Sequence, residues 1–197
     1  MESQLHLVLA SASPRRRELL VQAGVSFEVA GPALPELDDM MDKLPPGQQA
    51  EALAYFKARA VWDRDPTRWV LGADTIVAAG GRVLGKPRDR QHAREILCAL
   101  AGTRHAVITG LALLGPATRL IASDNTFITM RKLSGAEIEE YLDSGQWAGK
   151  AGAYGIQEIA DRFVTQVEGS FSNVMGLPLE LLDRMLHQVL AGKENHA

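Results

Sequence analysis

Three consecutive arginines, Arg15, Arg16 and Arg17, follow Ser11, Ser13 and Pro14 in the stretch LASASPRRRELL, residues 9–20. A helix N-terminus carries roughly half a positive charge and favours anions by about 0.3–1 kcal/mol per charge. Cations there are locally unfavourable unless an anion lies among them. The hydroxyls of Ser11 and Ser13, the unpaired backbone N–H groups of the turn and the guanidiniums of Arg15 and Arg16 form a set suited to phosphate. A solvated basic face is the plainer alternative. It is not a Walker loop, because the glycines and the GK[ST] are missing.

Asp74 interrupts the apolar run WVLGADTIVAA, residues 69–79. A carboxylate buried without a partner costs several kcal/mol. Asp74 must therefore end a strand, pair with a cation or hold a metal. Lys86, in LGKP between Gly85 and Pro87, is a candidate partner, although a surface turn lysine would look the same. The pair could be catalytic or only structural. In GKAGAYGIQ, residues 149–157, three glycines let backbone approach a ligand closely. Tyr154 could stack on a ring, and the Gln157 amide offers a donor and an acceptor to a base edge. A glycine-rich connection between elements is the alternative. Glu36, in an acidic loop with Asp38, Asp39 and Asp42, could join Asp74 in holding Mg²⁺. That ion usually takes one or two carboxylates plus substrate phosphates. Such a loop could also be merely solvated. Together these residues describe a nucleotide site, but spacing alone does not name the reaction.

The elements that must position these groups follow from patterning. Leu5–Ala10 reads as a buried strand. Ser13 is placed to cap a helix with Pro14 at its first position, running to about Ala23 and closed by Gly24. Phe27–Ala30 reads as a short strand, residues 31–47 as a long loop rich in breakers, and Gln48–Trp62 as a helix. Trp69–Ala79 predicts a strand returning through Gly80-Gly81 into Arg82–Leu84. A helix over Asp89–Ala101 precedes strands over His105–Leu114 and Leu120–Met130. Ser134 and Glu137 form a capping box for a helix to about Ser144. Phe163–Glu168 alternates like a strand, and Pro178–Leu190 like an amphipathic helix. Interleaved strands and helices with hairpins predict an α/β fold with a mixed sheet flanked by helices, in one domain over residues 1–197.

Composition narrows the function. The net charge of −3 gives no global basic field that would draw in nucleic acid. A single cysteine, Cys98, excludes a disulfide framework and a cysteine zinc cluster, and the five histidines show no ligand spacing. No run approaches the roughly 18 apolar residues of a membrane span. Leu5–Ala10 is too short for a signal-peptide core and its arginines follow rather than precede it, so a cytoplasmic location is expected.

The motifs LASASPRR, GADTIV with GKP, GKAGAYGIQ and GSFSNVMGLPL, in this order over residues 9–179, resemble those of the Maf family of nucleoside triphosphate pyrophosphatases. ADT with GAYGIQ is similar to the branch acting on dTTP and UTP; the 7-methyl-GTP branch carries other residues at both places. The resemblance implies an elongated, twisted, two-lobed α/β fold with a central cleft, like inosine triphosphatase. It also implies a divalent metal, Mg²⁺ or Mn²⁺, and often a homodimer. Asp74 matches the family's catalytic proton acceptor. Ser11, Arg15, Arg16 and Lys86 match phosphate-handling residues, and Arg15, Thr75 and Gln157 match positions linked to base choice. Glu36 matches an acidic residue of an IDE-like motif, here LPE. Lys57 matches a lysine usually preceded by Arg-Glu, where this chain has Tyr55 and Phe56. The expected reaction is hydrolysis between the α- and β-phosphates. The competing expectation is a nucleotide- or nucleic-acid-binding regulator of cell division without turnover.

Overall fold

The fold follows from where the apolar runs pair. The structure, a computed structural model, describes residues 5–31, 43–156 and 162–194. The elements in chain order are β1 (Leu7–Leu9), α1 (Pro14–Gln22), β2 (Phe27–Val29), α2 (Pro46–Trp62), β3 (Trp69–Ala79), β4 (Arg82–Leu84), α3 (Arg90–Leu100), β5 (Arg104–Gly115), β6 (Thr118–Met130), α4 (Gly135–Asp143), a 3₁₀ turn (Ala151–Ala153), β7 (Val164–Glu168), α5 (Phe171–Val174) and α6 (Leu179–Glu194). The run at 69–79 is one strand and Gly80-Gly81 does turn it into β4, as the sequence predicts. The short helix α5 was not anticipated.

Six strands lie in the order β2-β1-β3-β5-β6-β7, with β4 joining β3 separately. Both pairings of β1 are parallel; β3–β4, β3–β5, β5–β6 and β6–β7 are antiparallel. One edge of β3 pairs with β5 from Val70 to Ala78. The opposite edge pairs with β1 only at Trp69–Leu71 and with β4 only at Val77–Ala79. Between these two partners the sheet is split, and Asp74 and Thr75 lie in the split.

On the face that carries Thr75, the long strands β3 and β5 hold two cores, one at each end, while α2 packs on the opposite face against Val70, Ile76, Ile108 and Ala112. Leu71 and Ala73 pack with Leu19, Leu20, Leu111, Leu113 and α6 residues such as Leu182. Val77 and Val107 pack with Leu97, Tyr141, Phe163 and Ile128 at the other end. Two lobes therefore share one sheet, and the split lies between them. Burying Leu19 and Leu20 stabilises α1 by about 1.5–3 kcal/mol each. That offsets a first turn without acidic residues. The capping box at Ser134 and Glu137 is present. Ser13 differs from expectation: it occupies the N-cap position, but its hydroxyl makes no capping bond. Its own N–H instead donates to Ser11 Oγ, 3.3 Å away. Among the described residues no helix is long and apolar enough to cross a membrane.

Candidate active site

The cleft forms where β1 and β4 both stop short of covering β3. The chain leaving β1 supplies Ser13, Arg15 and Arg16, and the chain leaving β4 supplies Lys86. Strand alternation sends Asp74 and Thr75 to opposite faces of β3. Asp74 meets Lys57 of α2, and Thr75 meets Arg16 of α1. The loop of residues 149–156 closes the far wall with Gly149, Lys150, Tyr154 and Gly155.

Lys57 reaches Asp74 because α2 lies unusually close to the sheet. Ala50, Ala54 and Ala58 recur every four residues and are wholly buried. They face Gly72 of β3 and Gly110 of β5, which sits opposite Asp74 in the β3–β5 register. A Cβ on Gly72 would lie 2.2 Å from the Ala54 carbonyl oxygen, and one on Gly110 would lie 2.3 Å from the Ala50 carbonyl. The Lys57 ammonium donates to Asp74 Oδ1, and the Asp74 side chain is only 13% exposed. Burial lowers the Lys57 pKa, and the Asp74 carboxylate works against that shift. The ion-pair partner of Asp74 is thus Lys57, not the Lys86 that sequence proximity suggested. Lys86 lines the same cleft from the β4 side.

Arg16 is held on three sides. Its Nε donates to the Gly176 carbonyl at 2.8 Å, Nη1 to Ser11 Oγ at 3.0 Å and Nη2 to Thr75 Oγ1 at 3.1 Å. Burial lowers its pKa, with the nearby Asp74 charge opposing. A guanidinium has five N–H donors, so two remain for an anion in the cleft. Arg15 lines the cleft beside it.

The loop wall is pinned differently. The Gly152 N–H donates to the Gly85 carbonyl at 3.1 Å, tying the loop to the Lys86 turn. Gly152 has φ +71°, and a Cβ there would meet Val77 Cγ2 at 2.8 Å. The Tyr154 hydroxyl bonds to His105 Nε2 at 2.7 Å inside the core. Burial pushes the His105 pKa down to about 4 and raises that of Tyr154.

Ser11, Arg15, Arg16, Lys57, Asp74, Thr75 and Lys86 therefore converge on one cleft, Ser11 through its bond to Arg16. Glu36 and Gln157 lie outside the described residues. Among the described residues no group of three or more His, Cys, Asp and Glu side chains could hold a metal. The residues alone did not mark Lys57 as part of the site, nor the Asn173–Gly176 segment, which touches Arg16. The available signal was the pair of glycines inside apolar strands, each a mark of close backbone approach.

The family described as Maf-like protein matches residues 6–189. The chain belongs to the Maf family. A relative from Symbiobacterium thermophilum named dTTP/UTP pyrophosphatase is 46% identical over 92% of this chain and 93% of its own. Relatives of the same name from Koribacter versatilis and Myxococcus xanthus are 43% and 47% identical, covering 92% and 89% of this chain and 93% and 88% of theirs. A HAM1 protein from Coxiella burnetii has the same fold at a TM-score of 0.51 and 15% identity, over 93% of this chain and 99% of that one. The fold of this Maf chain is thus shared with a protein of only 15% sequence identity.

Proposed function

We propose that this Maf protein hydrolyses dTTP and UTP to the nucleoside monophosphate and pyrophosphate. The observation that carries the reading is charge: among the described residues, five basic side chains, Arg15, Arg16, Lys57, Lys86 and Lys150, line the cleft around one carboxylate, Asp74. That set suits a polyanion and supplies one base. The names of the relatives support the pyrimidine nucleotide as substrate.

Water adds to the α-phosphorus while Asp74 takes its proton. The bond from the α-phosphorus to the bridging oxygen breaks, and pyrophosphate leaves with that oxygen. Arg15, Arg16 and Lys86 offset the charge that builds on the phosphates. Lys57 fixes the Asp74 carboxylate through Oδ1. Gln157, in the chain beyond the loop wall, pairs with the N3–H and O4 edge of uracil or thymine.

A divalent cation, Mg²⁺ or Mn²⁺, fits the residues in one way. Lys57 bonds Asp74 at Oδ1, leaving the other oxygen with two lone pairs, one that would hold a metal and one for the water proton, with Glu36 as a second carboxylate. With no larger acidic cluster among the described residues, substrate phosphates would complete the shell, as is usual for Mg²⁺. The bound cation would add positive charge at the phosphates. A cytoplasmic location and a homodimer belong to the same reading; fractionation and light scattering test them.

The deciding experiment is pyrophosphate release by the purified protein with Mg²⁺ across dTTP, UTP, CTP and GTP. Release from dTTP and UTP above the others is expected. Tight nucleotide binding without release would point instead to a regulator without turnover.

A further inference from the structure

Arg16 belongs to a closed ring of hydrogen bonds in which Arg16, Thr75 and Gly176 line the cleft and Thr109 and Asn173 lie behind it. Its Nε donates to the Gly176 carbonyl, and the Gly176 N–H donates to the Asn173 carbonyl at 2.9 Å. The same Asn173 carbonyl accepts from Thr109 Oγ1 at 3.0 Å. Thr109 Oγ1 lies 3.0 Å from Thr75 Oγ1, and Thr75 Oγ1 accepts from Arg16 Nη2. Thr109 and Asn173 are both fully buried.

Each hydroxyl has one proton, so the ring has a direction. The Thr109 proton goes to the Asn173 carbonyl, which leaves Thr109 only an acceptor toward Thr75. The Thr75 proton therefore goes to Thr109, and Thr75 presents lone pairs to Arg16. The chain runs from guanidinium to carbonyl, with no hydroxyl free to turn. The Asn173 side chain anchors the carbonyl end, donating through Nδ2 to the Val107 carbonyl and to Thr126 Oγ1, both at 2.9 Å. The strand register places Thr75 directly opposite Thr109.

We infer that Thr109 and Asn173 are positioning residues for substrate phosphate: they touch no ligand, but they fix the direction in which Arg16 presents its remaining N–H groups to the cleft. This rests on the phosphate-binding reading of Arg16. The ring also gives a chemical use to GSFSNVMGLPL, whose asparagine and glycine carry the two carbonyls of the ring.

The test compares Thr109→Val, which keeps the shape and removes the hydroxyl, with Thr109→Ser, which keeps the hydroxyl. Steady-state kinetics with dTTP and Mg²⁺ and inhibition by inorganic pyrophosphate are measured for both. We expect T109S to match the wild type. T109V should raise KM for dTTP and weaken pyrophosphate inhibition by the same factor, about threefold to tenfold, the worth of one hydrogen bond, with a smaller change in kcat. Thr75→Val should cost a similar factor, and adding T109V to it should cost little more, because one chain is already broken. A T109V enzyme equal to the wild type, a T109S enzyme worse than T109V, or additive losses in the double variant would overturn the inference. Should T109V fold poorly, Thr109→Ala against T109S isolates the hydroxyl in the same way. If the wild type releases no pyrophosphate, the functional reading fails on its own, and calorimetric titration with pyrophosphate still compares the Thr109 variants.

Discussion

On one side of the cleft, charged groups project from α1, α2 and β3 and are tied by side-chain bonds: Arg16 to Ser11, Thr75 and Gly176, and Lys57 to Asp74. On the other side, the loop of residues 149–156 offers, apart from Lys150, mostly backbone and small side chains. It turns through positive φ at Gly149, Gly152 and Ala153, and reaches the core through Tyr154 and His105. The charged wall is fixed by regular elements that were needed for the core anyway. The loop wall holds a left-handed conformation that costs an alanine of order 1–3 kcal/mol, offset by its bonds to Gly85 and His105. In the proposed reading, regular elements hold the charge-handling side, and the loop faces the rest of the nucleotide.

Substitutions on the two walls should therefore fail in different ways. The largest effect is expected on the charged wall. Asp74→Asn keeps the shape and removes the base, and turnover should fall by about 10²–10⁴ with the circular dichroism unchanged. Near-wild-type turnover at saturating metal would remove Asp74 from catalysis. Next come Gly72→Ala and Gly110→Ala, whose new methyl groups would meet backbone of α2. Overpacking costs typically about 1–3 kcal/mol, and backbone contacts this short place both at or above the top of that range. The urea midpoint should drop in both, and activity with it, because α2 must retreat and take Lys57 from Asp74.

The loop wall should show itself in acid. An ordinary histidine titrates near 6.5, whereas buried His105 is held at about 4. Between those values the unfolded chain binds a proton that the folded chain refuses. Stability is therefore full above pH 6.5 and falls as the pH drops toward 4, by about 3 kcal/mol at about 1.4 kcal/mol per pH unit. Urea titrations from pH 7 to 4 should show this slope in the wild type and its loss in His105→Asn. Equal slopes would place the titration elsewhere.

A comparison within the charged wall follows. Arg15→Ala and Arg16→Ala should both weaken nucleotide binding, but only Arg16→Ala should lower the ligand-free melting temperature. It leaves Thr75 Oγ1 and the Gly176 carbonyl without the Arg16 donor, while Ser11 Oγ keeps the Ser13 N–H, at about 1–3 kcal/mol. The smallest effect is expected for Tyr154→Phe, which removes one bond to His105 and should cost about 1 kcal/mol. Its KM for dTTP should rise while pyrophosphate inhibition holds.

The charged wall was largely legible because charge in an apolar or helix-start setting is conspicuous. Arg16 before Leu19 and Leu20, and Asp74 inside β3, each signalled a partner. The identity of the partner was not legible. Lys57 is 17 residues from Asp74, and only the approach of α2 over Gly72 and Gly110 brings it there. Proximity in sequence favoured Lys86, since a hairpin is the one long-range contact that sequence displays directly. The strand β3, the Gly80-Gly81 hairpin and the Ser134–Glu137 capping box were readable because local chemistry dictates them. Helix α5 was not, because four residues carry no periodicity. Its position depends on Asn173 bonding to β5 and β6.

Hydrolysis of dTTP in ¹⁸O-labelled water tests most directly whether the charged wall directs water to the α-phosphorus. Mass spectrometry should find the label in dTMP and none in pyrophosphate. Label in pyrophosphate, or release of inorganic phosphate in place of pyrophosphate, would contradict the roles assigned here to Asp74 and the cations around it.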